Sequence, residues 1–398
     1  MGAGSGATPG VAGAGAPPAV GGAGTGGSAN AGGAPSDAGA GGAASATGVP
    51  FVYVGSGFYD IPNPQLYVFR LNPETGALSE VQKLGVEPSP SFIAFSPDRR
   101  HLYLNIENSP TSAVAFEVDS ATGMVSRLNS VQSGANGSAY LALDATGRLL
   151  LQANYESGSV VVINVEKDGS LGQVTDQHDL GGSDAYPHCA VVDPTNRFAF
   201  VTNRWAPGEP GNYIAQFELD ALTGKLTAND PARVDLPLET GPRHLAFHPN
   251  GKLAFVNNER SSTVSAYAYD SGNGTLEKQQ DLSTLPQGYS GNNAPADLRI
   301  HPSGKFLYVS NRGQYSIAIF GVDASTGQLT ALGHEVFAGQ PRNFYIDPNG
   351  RFLVVGNMKG NSVLVYRIDE QTGQLTALGG PVPVSSPSGI AVAYLPGQ

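Results

Sequence analysis

A single cysteine, Cys189, occurs in the 398 residues, and charged residues make up only 14% of them. One thiol excludes an internal disulfide, a cysteine-based zinc cluster and an iron–sulfur site. The 22 Lys and Arg against 33 Asp and Glu give a formal net charge of −11, so no basic surface for nucleic acid or an anionic membrane is expected. No apolar run reaches 18 residues, and the sequence therefore predicts no membrane-spanning helix.

Helical periodicity and nucleotide-binding motifs are also scarce. The sequence has no phosphate-binding loop, dinucleotide fingerprint or nucleophile elbow ahead of a helical pattern, and its 7 histidines are scattered. We therefore expect no cofactor and no metal site.

The first fifty residues differ in composition from the rest, because 32 of them are Gly or Ala and Asp37 is their only charged side chain. Such a segment buries too little apolar surface to offset the entropy of ordering it. The sequence predicts a disordered Gly/Ala-rich linker over residues 1–49 and a folded domain over residues 50–398. This linker resembles the spacer of an exported bacterial lipoprotein, so a periplasmic or cell-surface protein is favoured over a cytoplasmic one.

A turn followed by an apolar strand recurs along the folded domain. The copies are SPDRRHLYL, DATGRLLLQ, DPTNRFAFV, HPNGKLAFV, HPSGKFLYV and DPNGRFLVV, beginning at residues 96, 144, 193, 248, 301 and 347. Successive copies lie 46 to 55 residues apart, which is the spacing of four-stranded propeller blades. Each unit continues with a third strand, a turn such as ATGMVS or STGQLT, and a fourth strand, and the glycine of that turn supplies a positive φ.

The two ends of the domain complete a seventh unit. The chain enters at FVYVGS, residues 51–56, which matches a second strand, and SGIAVAYLP, residues 388–396, matches a first strand with no successor. Pairing these segments in one blade removes the open edges of the ring. The sequence thus predicts an all-β fold, a seven-bladed β-propeller closed by pairing of its N- and C-terminal strands, and we expect a monomer.

Two rings of residues are expected at one mouth of the central channel, because first strands begin where second strands end. The position six before the turn proline reads Ser91, Ala139, His188, Arg243, Ala296, Arg342 and Ser388. The position after the second strand reads Gly57, Glu107, Tyr155, Arg204, Glu259, Arg312 and Met358. These rings predict a local cationic pocket in an acidic protein.

The residue types of this pocket point to a small anionic substrate. The planar guanidinium group of arginine pairs bidentately with carboxylate or phosphate. Glu259 should stay ionised among arginines and could act as a base, and His188 could move a proton near neutral pH. By contrast, His248 and His301 begin β-turns and are expected to cap them, and Cys189 is expected to be buried.

At these residues the chain resembles the lactonase family of seven-bladed propellers, which includes propeller-type 6-phosphogluconolactonases and fungal carboxymuconate cyclases. The resemblance covers about residues 51–396 and is most specific in YPHCAVVDP at 186, GPRHLAFHPNGKLAFVNNE at 241, ADLRIHPSGKFLYVSNR at 296 and QPRNFYIDPNGRFLVVGN at 340. It implies a catalytic set of Glu259, His188, Arg243 and Arg312. We expect substrate contacts from Arg342, Arg299, Arg204, His244 and Asp297. A second histidine that members often carry is Ala190 here.

The resemblance implies hydrolysis of an anionic sugar lactone, as in a 6-phosphogluconolactonase. In this interpretation Arg243 and Arg312 hold the anionic group and the developing oxyanion, Glu259 activates water, and His188 protonates the departing ring oxygen. Two alternatives use the same pocket: a carboxymuconate cyclase-like cycloisomerase, which adds no water, and a tethered propeller that binds its ligand without turnover. The complete set of His188, Arg243, Glu259 and Arg312 favours catalysis.

Overall fold

The computed structural model describes residues 1–2, 46–57, 61–108, 111–181, 185–204 and 211–396. The predicted linker over residues 1–49 lies outside the described residues, apart from residues 1–2 and 46–49. All regular elements of the described residues are β-strands. Across the same ranges, no helix is long and apolar enough to cross a membrane.

The strands form seven antiparallel sheets of four strands each, which confirms the predicted seven-bladed β-propeller. The closing blade, blade 7, contains β1 (Val49–Ser56), β2 (Gln65–Leu71) and β3 (Leu78–Gly85). Blades 1 and 2 contain β4 (Pro90–Phe95), β5 (His101–Ile106), β6 (Ser112–Val118), β7 (Val125–Gln132), β8 (Ser138–Leu143), β9 (Leu149–Asn154), β10 (Ser159–Val165) and β11 (Leu171–Asp179).

The remaining strands follow in chain order. Blades 3 and 4 contain β12 (Pro187–Val192), β13 (Phe198–Asn203), β14 (Tyr213–Asp220), β15 (Lys225–Asp235), β16 (Pro242–Phe247), β17 (Leu253–Asn258), β18 (Thr263–Asp270) and β19 (Thr275–Ser283). Blades 5 and 6 contain β20 (Pro295–Ile300), β21 (Phe306–Asn311), β22 (Ser316–Val322), β23 (Leu329–Val336), β24 (Pro341–Ile346), β25 (Phe352–Asn357), β26 (Ser362–Ile368) and β27 (Leu375–Pro383). The last strand, β28 (Pro387–Leu395), returns to blade 7.

The ring closes as the sequence predicts. In blade 7 the C-terminal β28 pairs antiparallel with β1, with Val392 opposite Val52. Ordered pairing begins at Val49, and the backbone of Ala46 is held by the side chain of Asn349 in a turn of blade 6 (N to Oδ1, 2.6 Å). The first folded contacts of the chain therefore precede residue 50 by a few positions.

The core lies between neighbouring blades. First and second strands, such as β8 and β9, are buried along their whole length, whereas fourth strands such as β7 bury few of their residues. This burial explains why the inner strands have nearly continuous apolar sequences and the outer ones alternate.

Glycine in the turn between the third and fourth strands is required by close packing between blades. Gly123 has φ of 74°, and a Cβ added to it would lie 2.4 Å from the ring of Phe51. Its carbonyl accepts a hydrogen bond from the hydroxyl of Tyr53 (2.8 Å), and Tyr308 bonds Gly373 in the same way. The predicted positive φ is therefore confirmed, and the turn also locks one blade to the next.

Every blade has a β-bulge where its first strand begins. In blade 4, Pro242 is opposite Asn258 and His244 is opposite Asn257, so Arg243 is left without a partner in the ladder. The bulged residues of the other blades are Ser91, Ala139, His188, Arg342, Ser388 and the pair Ala296 and Asp297. A bulge redirects the side chain of the extra residue. The first predicted ring is therefore a ring of bulges.

A repeated backbone hydrogen bond holds the second predicted ring against the first. The amide of Glu259, just after β17, donates to the carbonyl of Gly241, just before β16 (2.7 Å). The equivalent bonds in other blades join Glu107 to Ser89, Tyr155 to Gly137, Arg204 to Tyr186, Arg312 to Ala294, Met358 to Gln340 and Gly57 to Ser386. The two rings therefore converge on one face of the propeller, as predicted.

On the opposite face, two histidines cap turns and connect blades. The Nδ1 atom of His301 accepts the backbone N–H of Ser303 (3.1 Å), and its Nε2–H donates to the carbonyl of Gly350 in the next blade (2.8 Å). His248 makes the equivalent two bonds. The predicted capping role is confirmed, and it requires a neutral imidazole because Nδ1 must remain an acceptor.

This arrangement predicts that acid destabilises the propeller through His301. Burial lowers the pKa of His301 below its ordinary value, so as pH falls below about 6.5 the unfolded chain takes up the proton first. Stability is therefore complete above that pH and declines below it. In urea unfolding at pH 7.5 and pH 5, the H301N variant should lose less free energy of unfolding on acidification than the parent. An equal loss in both proteins would show that His301 does not contribute.

Candidate active site

Glu259 lies at the centre of the charged rim, in contact with three arginines. Its Oε1 atom is 3.0 Å from Nη2 of Arg204 and 2.6 Å from Nη2 of Arg312, and its Oε2 atom is 3.1 Å from Nε of Arg243. The arginines come from three consecutive blades. Arg204 and Arg312 belong to the second ring, in blades 3 and 5, and Arg243 belongs to the first ring, in blade 4. One carboxylate thus joins blades 3, 4 and 5.

These contacts determine the ionisation of Glu259. Burial alone would raise the pKa of this carboxyl group, but Arg312, Arg243 and Arg204 together lower it to about 2. The predicted ionised state is therefore favoured. Both oxygens of Glu259 contact guanidinium groups, and its expected role as the base stays a prediction.

His244 is fixed in one tautomer by its two neighbours. Nη1 of Arg243 lies 3.0 Å from Nε2 of His244, and since arginine can only donate, Nε2 must accept. The other nitrogen, Nδ1, then carries the proton and donates it to Oδ1 of Asp297 (2.8 Å). Burial, with Arg243 adding to it, lowers the pKa of His244 to about 4, so this imidazole is neutral at neutral pH.

Asp297 supports the cluster from below the rim. Burial would raise its pKa, but Arg299 and the hydrogen bond from His244 lower it to about 2. Its Oδ2 atom also accepts hydrogen bonds from Nδ2 of Asn343 (2.9 Å) and the backbone of Phe344 (3.1 Å). Asp297 and His244 thus use their polar atoms on protein partners. His244 also lines a small central cavity, and the predicted contact of both residues with substrate stays a prediction.

His188 lies beside this group and is also neutral. Its ring packs against His244 (centroids 5.4 Å apart) and edge-on against Tyr155 (5.7 Å). Burial, with Arg243 adding to it, lowers its pKa well below the ordinary value for histidine. Its Nδ1 atom has no hydrogen-bond partner among the described residues. His188 is therefore an unprotonated imidazole next to several cations.

Glu107 is a residue of the second ring that sequence reasoning did not single out. Burial raises its pKa, although Arg342 and Arg243 oppose that effect. Its Oε2 atom is 3.8 Å from Nη2 of Arg342. The sequence showed an acidic side chain on the ring at this position, but only the fold shows that an arginine from blade 6 faces it across the channel.

The structure brings all the predicted site residues into one connected cluster. A small central cavity of about 10 Å³, room for about one water molecule, is lined by Arg243, His244 and Arg342 from the first ring region, together with small residues such as Ser91 and Ser388. Arg299 lies deeper and stacks on the rings of Phe92 (5.5 Å) and Tyr345 (5.0 Å).

The cluster carries more positive than negative charge. Its five arginines are Arg204, Arg243, Arg299, Arg312 and Arg342, and its carboxylates are Glu107, Glu259 and Asp297. Glu156 adds a further negative charge near Glu107 at the exposed rim. A net positive charge remains even with every carboxylate ionised, which favours an anionic ligand. Within the described ranges, no three His, Cys, Asp or Glu side chains are grouped as metal ligands would be.

Cys189 does not add a nucleophile to this site. It is a buried free thiol, as predicted. Burial raises its pKa to about 12. A thiol that stays protonated at neutral pH does not attack a carbonyl group.

A family model described as "Lactonase, 7-bladed beta-propeller" matches residues 51–392. Among curated proteins, a 6-phosphogluconolactonase of Pectobacterium carotovorum is 33% identical over 294 residues, which cover 74% of this chain and 83% of the relative. A 6-phosphogluconolactonase of Formosa agariphila is 31% identical over 307 residues, covering 74% and 85%.

Solved structures show the same fold. The periplasmic gluconolactonase of Pseudomonas aeruginosa superposes with a TM-score of 0.80 at 28% identity, covering 87% of this chain and 100% of that one. A putative 6-phosphogluconolactonase of Bacteroides fragilis has a TM-score of 0.78 at 28% identity, covering 87% and 98%.

The geometry around Glu259 predicts that its charge stabilises the fold. In the E259Q variant three arginines lose their shared counter-ion, and we expect the free energy of unfolding to fall by about 3 kcal/mol. The matched control is E239Q, which removes an exposed partner of Arg260 and should cost less than about 1 kcal/mol. Urea unfolding at pH 7.5 measures both. Equal losses in the two variants would contradict a structural role for the buried carboxylate.

Proposed function

Since the chain belongs to the lactonase family of seven-bladed β-propellers, we propose that it hydrolyses the ester bond of a small anionic sugar lactone. One observation carries this proposal: the unprotonated imidazole of His188 lies within a buried cluster whose arginines outnumber its carboxylates. The curated relatives named above make 6-phosphogluconolactone the first substrate to test.

In the proposed mechanism the arginines hold the substrate and its developing oxyanion. A guanidinium group has five N–H donors, and among the described residues Arg312 uses them on Glu259 and the carbonyl of Ala294. Arg243 is held by Glu259 and by the neutral His244, so its planar group is already oriented before substrate binds. A well-placed donor to an oxyanion contributes roughly 3 kcal/mol to catalysis.

The base of this mechanism is His188. It takes a proton from water as the oxygen attacks the lactone carbonyl carbon, and the resulting imidazolium gives the proton to the ring oxygen as the carbon–oxygen bond breaks. The product is the open hydroxy acid. In this mechanism Glu259, expected from the sequence to be the base, orients the arginines, because both of its carboxylate oxygens contact guanidinium groups, whereas Nδ1 of His188 has no partner among the described residues.

His244 and Asp297 act as positioning residues in this mechanism. Asp297 fixes the tautomer of His244, and His244 in turn accepts a hydrogen bond from Arg243. The pair therefore orients the guanidinium group of Arg243.

Glu107 is the competing candidate for the base. Its pKa is raised by burial while that of Glu259 is lowered by arginines, and two carboxyl groups separated in this way often have different roles. A comparison of variants at His188 and Glu107 decides between them.

We predict that H188N loses at least about 100-fold in kcat on 6-phosphogluconolactone, because the proton acceptor is gone. The matched control is H334N, on the outer strand β23, which should retain the parent rate. Proton release, corrected for spontaneous ring opening, measures the rates. Near-parent activity of H188N together with loss of activity in E107Q would transfer the base to Glu107.

Isotope incorporation separates hydrolysis from the competing functions. In water enriched in oxygen-18, the proposed reaction places one labelled oxygen in each molecule of the acid product. Turnover without incorporation would indicate a cycloisomerase. Binding of lactone without any turnover, by a folded protein, would indicate a non-catalytic propeller.

A further inference from the structure

A second cavity opens beside Arg312 on the same face as the arginine cluster. It measures about 460 Å³, within the range of small-molecule sites. Its lining comes from blades 5, 6 and 7: Ile61, Arg312, Gln340, Met358, Lys359, Asn361 and Ser386. Met358 belongs to the second ring, and Gln340 and Ser386 are the backbone acceptors that precede the bulges in β24 and β28. The cavity is therefore formed by the same strand ends that carry the two rings.

The lining of this cavity is suited to an anion. It contains two cations, Arg312 and Lys359, two amide side chains and one hydroxyl group, and it contains no carboxylate. Lys359 is exposed and makes no ion pair with any described residue. Asn361 uses its Oδ1 atom to accept the backbone N–H of Ser386 (2.9 Å), which leaves its N–H₂ group as a donor.

Arg312 joins this cavity to the candidate active site. Its Nη2 atom contacts Glu259 at 2.6 Å, while its side chain also lines the cavity. The Nε2 atom of Gln340 donates to the carbonyl of Arg312 (3.3 Å), which connects blade 6 to blade 5 beside the cavity. A ligand with two polar ends could therefore place one end at the central cluster and the other beside Lys359.

We propose that this cavity binds the phosphate group of a phosphorylated sugar lactone whose carbonyl lies at the central cluster. The proposal rests on the proposed hydrolase function and adds the residues that select a phosphorylated substrate. A phosphate monoester carries close to two negative charges at pH 7 and presents three acceptor oxygens. Arg312 and Lys359 supply the two positive charges, and the amides and hydroxyl supply neutral donors.

The test compares two lactones in variants of Lys359. The parent should turn over 6-phosphogluconolactone with a kcat/KM at least about tenfold above that for glucono-1,5-lactone, because only the first has a phosphate. In K359Q this ratio should fall about tenfold through a raised KM for the phosphorylated lactone. The matched control is K305Q, an exposed lysine at a turn on the opposite face, which should leave the ratio unchanged.

Inhibition by inorganic phosphate distinguishes a subsite for a sugar phosphate from a site that binds the free phosphate ion alone. If the subsite is as proposed, inorganic phosphate should inhibit the parent competitively, but only at higher concentrations than 6-phosphogluconate requires. Inhibition by each of the two compounds should be weaker in K359Q. A ratio of kcat/KM values that is the same in parent and K359Q would overturn the proposal while leaving the hydrolase function in place.

Failure of the hydrolase function would give a different result, since neither lactone would then be turned over. In that case calorimetric titration with 6-phosphogluconate decides the subsite by itself. Binding that weakens about tenfold in K359Q and is unchanged in K305Q supports it. Equal affinity in all three proteins, or no binding, overturns it.

Discussion

The backbone hydrogen bond from the end of each second strand to the residue before each first strand is the interaction on which the site depends. It recurs in all seven blades, and the extra residue that it encloses forms a β-bulge. Because a bulged residue leaves the ladder, its side chain is free to turn toward the channel without disturbing the sheet. The rim can therefore vary in sequence while the core below it stays fixed.

The chain uses this freedom to concentrate positive charge in an acidic protein. Five arginines in a small buried volume would repel one another strongly without counter-ions. Glu259 and Asp297 offset part of that repulsion, one at the rim and one beneath it, and the neutral His244 connects the two through Arg243. Under the proposed function, the residual positive charge is the part that the anionic substrate neutralises. Fold stability and ligand preference thus have a common electrostatic origin.

The periodic features of this molecule could be predicted from the sequence because each arises from local chemistry. Turn residues, apolar strands and the spacing of copies are short-range patterns, and two unmatched strands at the ends are enough to predict ring closure. The membership of both rings followed from the same alignment. Glu107 and Lys359 were missed because their importance depends on partners in distant blades, namely Arg342 across the channel and Arg312 beside the second cavity.

The contacts of the site bear on the choice between Glu259 and His188 as the base, which residue type alone leaves open. A glutamate among arginines is ionised, as expected, but the same three contacts that ionise it also lower its basicity. The pKa of His188 is also lowered, by burial and by Arg243, but its Nδ1 atom has no hydrogen-bond partner among the described residues, whereas both carboxylate oxygens of Glu259 contact arginines. The proposed base assignment therefore depends on which side chain has a proton-accepting atom that no neighbour occupies. The contacts that occupy Glu259 arise where blades 3 to 5 converge. The sequence gives the order of these blades along the chain but not the distances between their side chains.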